Sequence, residues 1–428
     1  MKKTTTTPQS LRIFLSLGVL LANAILSGCF GMHVPKIPAE KMAPIAAVDC
    51  ARDQCIDFIY LHGSARPYAE QRDEFYAYTG PMHQWVMAEL YTSPEVNQGL
   101  LEKSQYRINP EPVAFYWGDL SAEEFQVVAE LMEWTDARKG TAGTVARMAQ
   151  QYAILGMHDT FWISEPRNKR KVHLALHEVV SQSIAKGRKV VLFGHSAGAM
   201  AIQGYGMYHL PYLDLAEVEA HLPEGPLKDL LAGATGQTCI RALLESGLME
   251  FREDGKFALK LQTESVSDMK KFDKFRQAYW QEKLRRLPDC TSEYCAPKSS
   301  IKGIVTYGHP GPVLSGTIVG TEQNLFLLFV RHIIQSGQFW INISHINDPV
   351  GYALYDELDV PENLSELLNL PVERGGGFLI SGTESRGATA ITAHSWYWLK
   401  PAQFARVLSR TYAEGYQNRF AVKQEGGP

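Results

Sequence analysis

Three side chains in this 428-residue chain have the types needed for nucleophilic attack on a carbonyl: Ser196, Asp348 and His394. The serine lies in Gly194-His195-Ser196-Ala197-Gly198. The apolar run Lys189-Val190-Val191-Leu192-Phe193 leads into it, and the small-residue stretch Ala199-Met200-Ala201-Ile202 follows. That pattern predicts a strand, a sharp turn and a helix, with the hydroxyl exposed at the apex of the turn. Glycines at 194 and 198 leave room for backbone to pass close by. The plainer alternative is a strand-to-helix turn that merely needs glycines. A serine hydroxyl is a weak nucleophile near neutral pH, so it needs a base within hydrogen-bond reach and an acid to orient that base.

Both partners are found downstream, in the order Ser, Asp, His. Asp348 stands in His345-Ile346-Asn347-Asp348-Pro349-Val350-Gly351, just past a predicted strand, where open α/β sheets place their sites. His394 is the only histidine beyond it, in Ala393-His394-Ser395-Trp396-Tyr397-Trp398. Asp-Pro also starts ordinary turns, and Glu384 and Asp356 are the fallback acids. His345 and His309 precede the acid and are expected to line the pocket. His195 is expected to pack or to support the turn. A tetrahedral intermediate needs donors for its oxyanion. The amide of Ala197, at the helix start, is one candidate. The amide of Ser64, in Leu61-His62-Gly63-Ser64 after an early strand, is the other.

These residues require strands to hold them at one edge. Residues 56–61, 112–117, 189–193, 301–307, 339–344 and 377–381 read as buried strands from their apolar and aromatic runs. Helical spacing recurs near 81–91, 122–132, 144–155, 173–186 (closed by Gly187), 323–335 and from Pro401 onward. The alternation predicts an α/β domain with a mainly parallel sheet covered by helices on both faces. Residues 208–299 read as a helical insertion, either a lid or a surface elaboration.

The motifs around Ser196, Ser64, Asp348 and His394 resemble the α/β-hydrolase superfamily. They are most similar to class 3 (fungal-type) lipases and related serine esterases, and the likeness runs from about residue 56 to 412. The resemblance implies an α/β-hydrolase fold and ester cleavage through an acyl-enzyme, without metal or organic cofactor. Two departures stand out. The acid lies about 150 residues past the serine, and alanine replaces the usual leucine after it.

The N-terminus reads as a targeting segment. Lys2, Lys3 and Arg12 precede an apolar stretch ending in Leu26-Ser27-Gly28-Cys29. This resembles a bacterial lipobox, which predicts a signal peptide over residues 1–28 and lipid on Cys29. Ordinary secretion or an uncleaved anchor are the alternatives. Phe30 after the cysteine points by resemblance to the outer membrane of a bacterial envelope. Residues 29–50, with the proline-rich 34–47, then form a tether, and 51–428 the hydrolase domain. Loss of Lys2, Lys3 and Arg12 with the signal takes the formal charge from -4 to -7, and the absence of any basic run argues against nucleic acid as a partner. An exported compartment permits disulfides. Cys50–Cys55 and Cys290–Cys295 are the first pairing, with Cys239 left over, and cross-pairing fits equally well. The expected substrate is a lipid or another acyl ester. Amide cleavage or acyl transfer by the same three groups, and a non-catalytic envelope lipoprotein, are the alternatives.

Overall fold

The structure is a computed structural model. It describes residues 36–63, 69–122, 165–209, 300–310, 336–351, 377–389 and 392–421, with short pieces between them. Cys29, Ser64, Asp356, Cys290 and Cys295 lie outside the described residues.

In chain order the elements are α1 (Ala39–Ala46), β1 (Cys55–Leu61), α2 (Ala69–Leu90), α3 (Pro94–Gln98), β2 (Arg107–Ile108), β3 (Val113–Phe115) and α4 (Pro166–Ala185). Then come β4 (Lys189–His195), α5 (Ala197–His209), β5 (Tyr212–Asp214), β6 (Gln237–Cys239), β7 (Met249–Phe251) and β8 (Phe257–Leu259). The chain closes with β9 (Ile301–Tyr307), β10 (Phe339–His345), β11 (Phe378–Glu384), α6 (Ala393–Leu399) and α7 (Pro401–Ala421).

Seven strands form one sheet in the order β11-β10-β9-β4-β1, with β2 and β3 both beyond β1, and every pairing is parallel. β2 pairs with the start of β1 and β3 with its end, so the two are halves of one interrupted edge strand. Pro110 and Pro112 fall in the gap, where neither can donate to a ladder. From β1 the chain moves to this edge, returns past β1 to β4, and then steps outward through β9, β10 and β11. Strand order therefore reverses between β1 and β4, and the carboxyl ends of those two strands mark the crevice of an open α/β sheet.

Both faces are buried, which explains the near-continuous apolar runs. Ile56, Phe58 and Tyr60 of β1, Val191 and Phe193 of β4, and Phe339, Ile341 and Ile343 of β10 share one core with residues of α2, α3, α6 and α7. The alternate residues, such as Leu192 and Trp340, are equally buried. On that side Trp340 meets Phe329, and α5 packs on β4 with α4 against it. Along β1 a polar chain ties the layers. The Tyr60 hydroxyl donates to His83 Nδ1 (3.0 Å), His83 Nε2–H donates to the Asn109 carbonyl (2.8 Å), and Asn109 Nδ2–H donates to Asp57, which also meets Arg188. Burial holds the His83 pKa down at about 4, so the ring is neutral.

Several boundaries differ from the sequence reading. Part of the expected tether is the helix α1, packed on α2 through buried Ile45 and the Lys41–Glu89 ion pair (2.8 Å). The Cys50–Cys55 disulfide ties this segment to the start of β1. α2 begins twelve residues before Pro81, where the expected helical spacing started, and continues through that proline. The described pieces of 208–299 beyond α5 are not helical: β5 pairs with β6 and β7 with β8, both antiparallel. Three-residue strands are too short to show a period. The expected helices over 123–155 and 323–328 fall outside the described residues or are described only in fragments. Gly187 does close α4, in the left-handed region (φ 74°), with its N–H donating to Ile184 O. Among the described residues no helix is long and apolar enough to cross a membrane.

Truncating Ile341, fully buried in the shared core, leaves a cavity between β10 and α7. Ile341→Ala is expected to lower stability by about 2–5 kcal/mol, read as an earlier midpoint in urea unfolding.

Candidate active site

Ser196 directly follows the last residue of β4 and directly precedes α5. Its φ of 52° lies in the left-handed region, a strained conformation for a residue with a Cβ. Bonds on both sides hold it there. Its N–H continues the ladder to Tyr307 O of β9 (3.0 Å), and its own carbonyl accepts from Ala199 in the first turn of α5 (3.0 Å). The turn lies hard against the end of β1. A Cβ on Gly198 would sit 2.6 Å from His62 O, and one on Gly63 would sit 2.7 Å from the Ser196 Cβ. Only glycine permits these approaches.

The loop after β10 and the helix α6 bring side chains to this turn. The Ser196 hydroxyl lies 3.0 Å from His394 Nε2, to which it donates. His394 Nδ1–H donates to both carboxylate oxygens of Asp348 at 3.1 Å. Asp348 sits in the loop after β10, where its amide bonds back to His345 O (2.8 Å) and shapes the turn. It has further donors in Val350 N–H (2.9 Å) and the Tyr397 hydroxyl (2.9 Å). Tyr397 stands three residues after His394 in α6, so both project from one side of the helix. Its oxygen in turn accepts from His345 N–H (3.0 Å).

Electrostatics follows from this wiring. Burial pushes the Asp348 carboxyl up, but the charge and hydrogen bond of His394, with the bonds from Val350 and Tyr397, outweigh it and hold the group well below the usual carboxylate range. Burial pushes His394 down, and the Asp348 charge and hydrogen bond reverse this, so its pKa lies above the ordinary 6.5. The dyad is an ionised carboxylate beside an imidazole of raised basicity.

The remaining residues take different places. The amide of Ala197 is the first of α5 and has no acceptor within the helix, so it is available to an oxyanion. Ser64 lies outside the described residues; its neighbour Gly63 stands against Ser196. Glu384 accepts from the amides of Ser385 and Arg386 and caps its own loop. His345 and His309, expected to line the pocket, are both buried. His345 links the acid loop to Arg386 O (3.2 Å), and burial pushes His309 down to about 3. Sequence reasoning missed the role of Tyr397. Its spacing from His394 was the available signal, but an aromatic residue in an aromatic run reads first as core. Among the described residues no three His, Cys, Asp or Glu side chains gather as metal ligands.

Comparison of the chain with protein-family models, with curated proteins and with solved structures finds no match.

Two outcomes test this geometry. The His394 imidazole is expected to titrate above 6.5 by NMR, and Asp348→Asn, which removes the charge that raises it, is expected to move it lower. Gly198→Ala forces a methyl group onto two main-chain carbonyls and is expected to cost about 1–3 kcal/mol in urea unfolding.

Proposed function

We propose that this protein is a serine hydrolase acting on carboxylic esters, with an α/β-hydrolase fold related to class 3 lipases and serine esterases. One observation carries the reading. A serine hydroxyl at a strained turn lies 3.0 Å from an imidazole whose other nitrogen is held by a buried carboxylate. A fold that only binds a partner has no need of all three groups in register.

In this mechanism Ser196 Oγ attacks the ester carbonyl while His394 Nε2 takes its proton. The charge that develops on His394 is stabilised by Asp348, which stays ionised throughout. The Ala197 amide donates to the oxyanion, and the Ser64 amide is its proposed partner. His394 then hands the proton to the leaving alcohol as the C–O bond breaks. Water, deprotonated by His394, attacks the acyl-enzyme, and the acid product leaves with Ser196 restored. No step calls on a cofactor.

A lipid or another acyl ester is the proposed substrate, reached by a protein held in a bacterial envelope, the outer membrane above all, through lipid on Cys29. Membrane tethering and the aromatic surroundings of His394 support this choice. Tyr307, Tyr397 and Trp398 all pack around the neighbouring His195.

A fluorophosphonate probe is expected to label the protein and to fail on Ser196→Ala. Asp348→Asn, with near-parent geometry, is expected to lose about 10⁴-fold in kcat on an activated ester. Absence of labelling in the folded parent would overturn the assignment. Cleavage confined to short, soluble acyl groups across an ester panel would count against a lipid substrate.

A further inference from the structure

His195, the last residue of β4, is buried, and its position gives it a task that the mechanism above does not use. Its Nε2 lies 3.0 Å from the main-chain oxygen of His394. A carbonyl only accepts, so Nε2 carries the proton and donates. The bond spans 199 residues of sequence and joins the residue beside the nucleophile to the main chain of the base. The rings of His195 and His394 also lie against each other, with centroids 4.8 Å apart. Tyr307 of β9 and Tyr397 and Trp398 of α6 enclose the remaining sides at 5.3–5.6 Å. Gly308, at φ 57°, leaves the space between them open: a Cβ there would sit 3.3 Å from both His195 Nε2 and Asp348 Oδ2.

We infer that His195 is a positioning residue: it fixes the α6 main chain at His394 so that Nε2 stays in line with Ser196 Oγ as the proton moves. This rests on the hydrolase reading. The Ser196–His394 bond alone cannot hold that line, because it breaks and re-forms in each cycle. The His195 bond engages the main chain and persists through all of them. An imidazole suits the place because it can donate without charge. The ionisable groups that face it are His394 and Tyr397 of α6, Tyr307 of β9, His62 just after β1 and Asp348 of the loop after β10. Burial first, then the neighbouring His394 and His62, push its pKa well below 6.5, against the opposing pull of the His394 carbonyl and Asp348. It therefore stays neutral where His394 titrates. A fixed cation there would oppose the charge that His394 must acquire.

The test compares His195→Phe, His195→Gln and His195→Asn in the full chain, with folding checked by near-UV circular dichroism. Phe keeps the ring and loses the donor. Gln keeps an N–H close to the place of Nε2, and Asn is too short to reach. The rate of fluorophosphonate inactivation is expected to fall about ten- to a hundredfold in Phe and Asn and to recover to within a few-fold of the parent in Gln. On an activated ester the loss is expected in kcat, with KM nearly unchanged. The acid limb of kcat/KM moves to lower pH in Phe, because a less constrained His394 loses part of the Asp348 interaction that raises its pKa. A core role alone would lower stability without moving that limb. A folded Phe variant that reacts at the parent's rate with an unmoved limb overturns the inference and leaves the hydrolase reading intact. Should Phe not fold, equal rates in Gln and Asn overturn it. A parent that does not label at all removes the hydrolase reading and this inference together.

Discussion

The close approach of two backbones is the constraint on which the site depends. The end of β1 and the turn after β4 come nearer than any Cβ would allow, with Gly63 and Gly198 facing across the gap. That approach keeps the serine turn compact and leaves its apex facing the crevice where strand order reverses. The left-handed backbone of Ser196 is unfavourable by about 1–2 kcal/mol. It persists because a β ladder on one side and a helix on the other dictate where the chain must go. The strain belongs to the scaffold, so the hydroxyl has few alternative positions to lose.

Charge is handled by the same economy of motion. A buried carboxylate is costly unless donors surround it. Asp348 has donors from its own loop, from His394 and from Tyr397. α6 supplies two of these, and its main chain also receives the His195 bond. A seven-residue helix thus carries His394, a second donor to Asp348 and the aromatic neighbours of both. Its placement against α2, β10 and α7 ties the chemistry to the core shared with the sheet.

Much of this was legible in residue order. Apolar runs marked β1, β4, β9, β10 and β11, because a parallel sheet buried on both faces writes itself as continuous hydrophobicity. The serine turn stood out through its glycines, and the order Ser196, Asp348, His394 left little freedom. Other features were hidden for physical reasons. The two residues of β2 carry no period. Helical spacing showed only from Pro81 onward, yet α2 begins at Ala69 and runs straight through that proline. The prolines around α1 suggested an extended tether, while Ile45 and the Lys41–Glu89 pair give that segment enough contact to fold against α2. Long-range bonds such as His195 to His394 have no signature in sequence, since they depend on where two distant loops finally meet.

The split edge strand has a consequence beyond the site. An uninterrupted outer strand would offer a row of unpaired amides and carbonyls to any extended segment, including the same strand of a second molecule. Here Pro110 and Pro112 interrupt the row between β2 and β3, so an incoming strand meets two missing donors in mid-register. Among the described residues β2 and β3 form the border of the sheet, and this break guards that border against edge-to-edge aggregation.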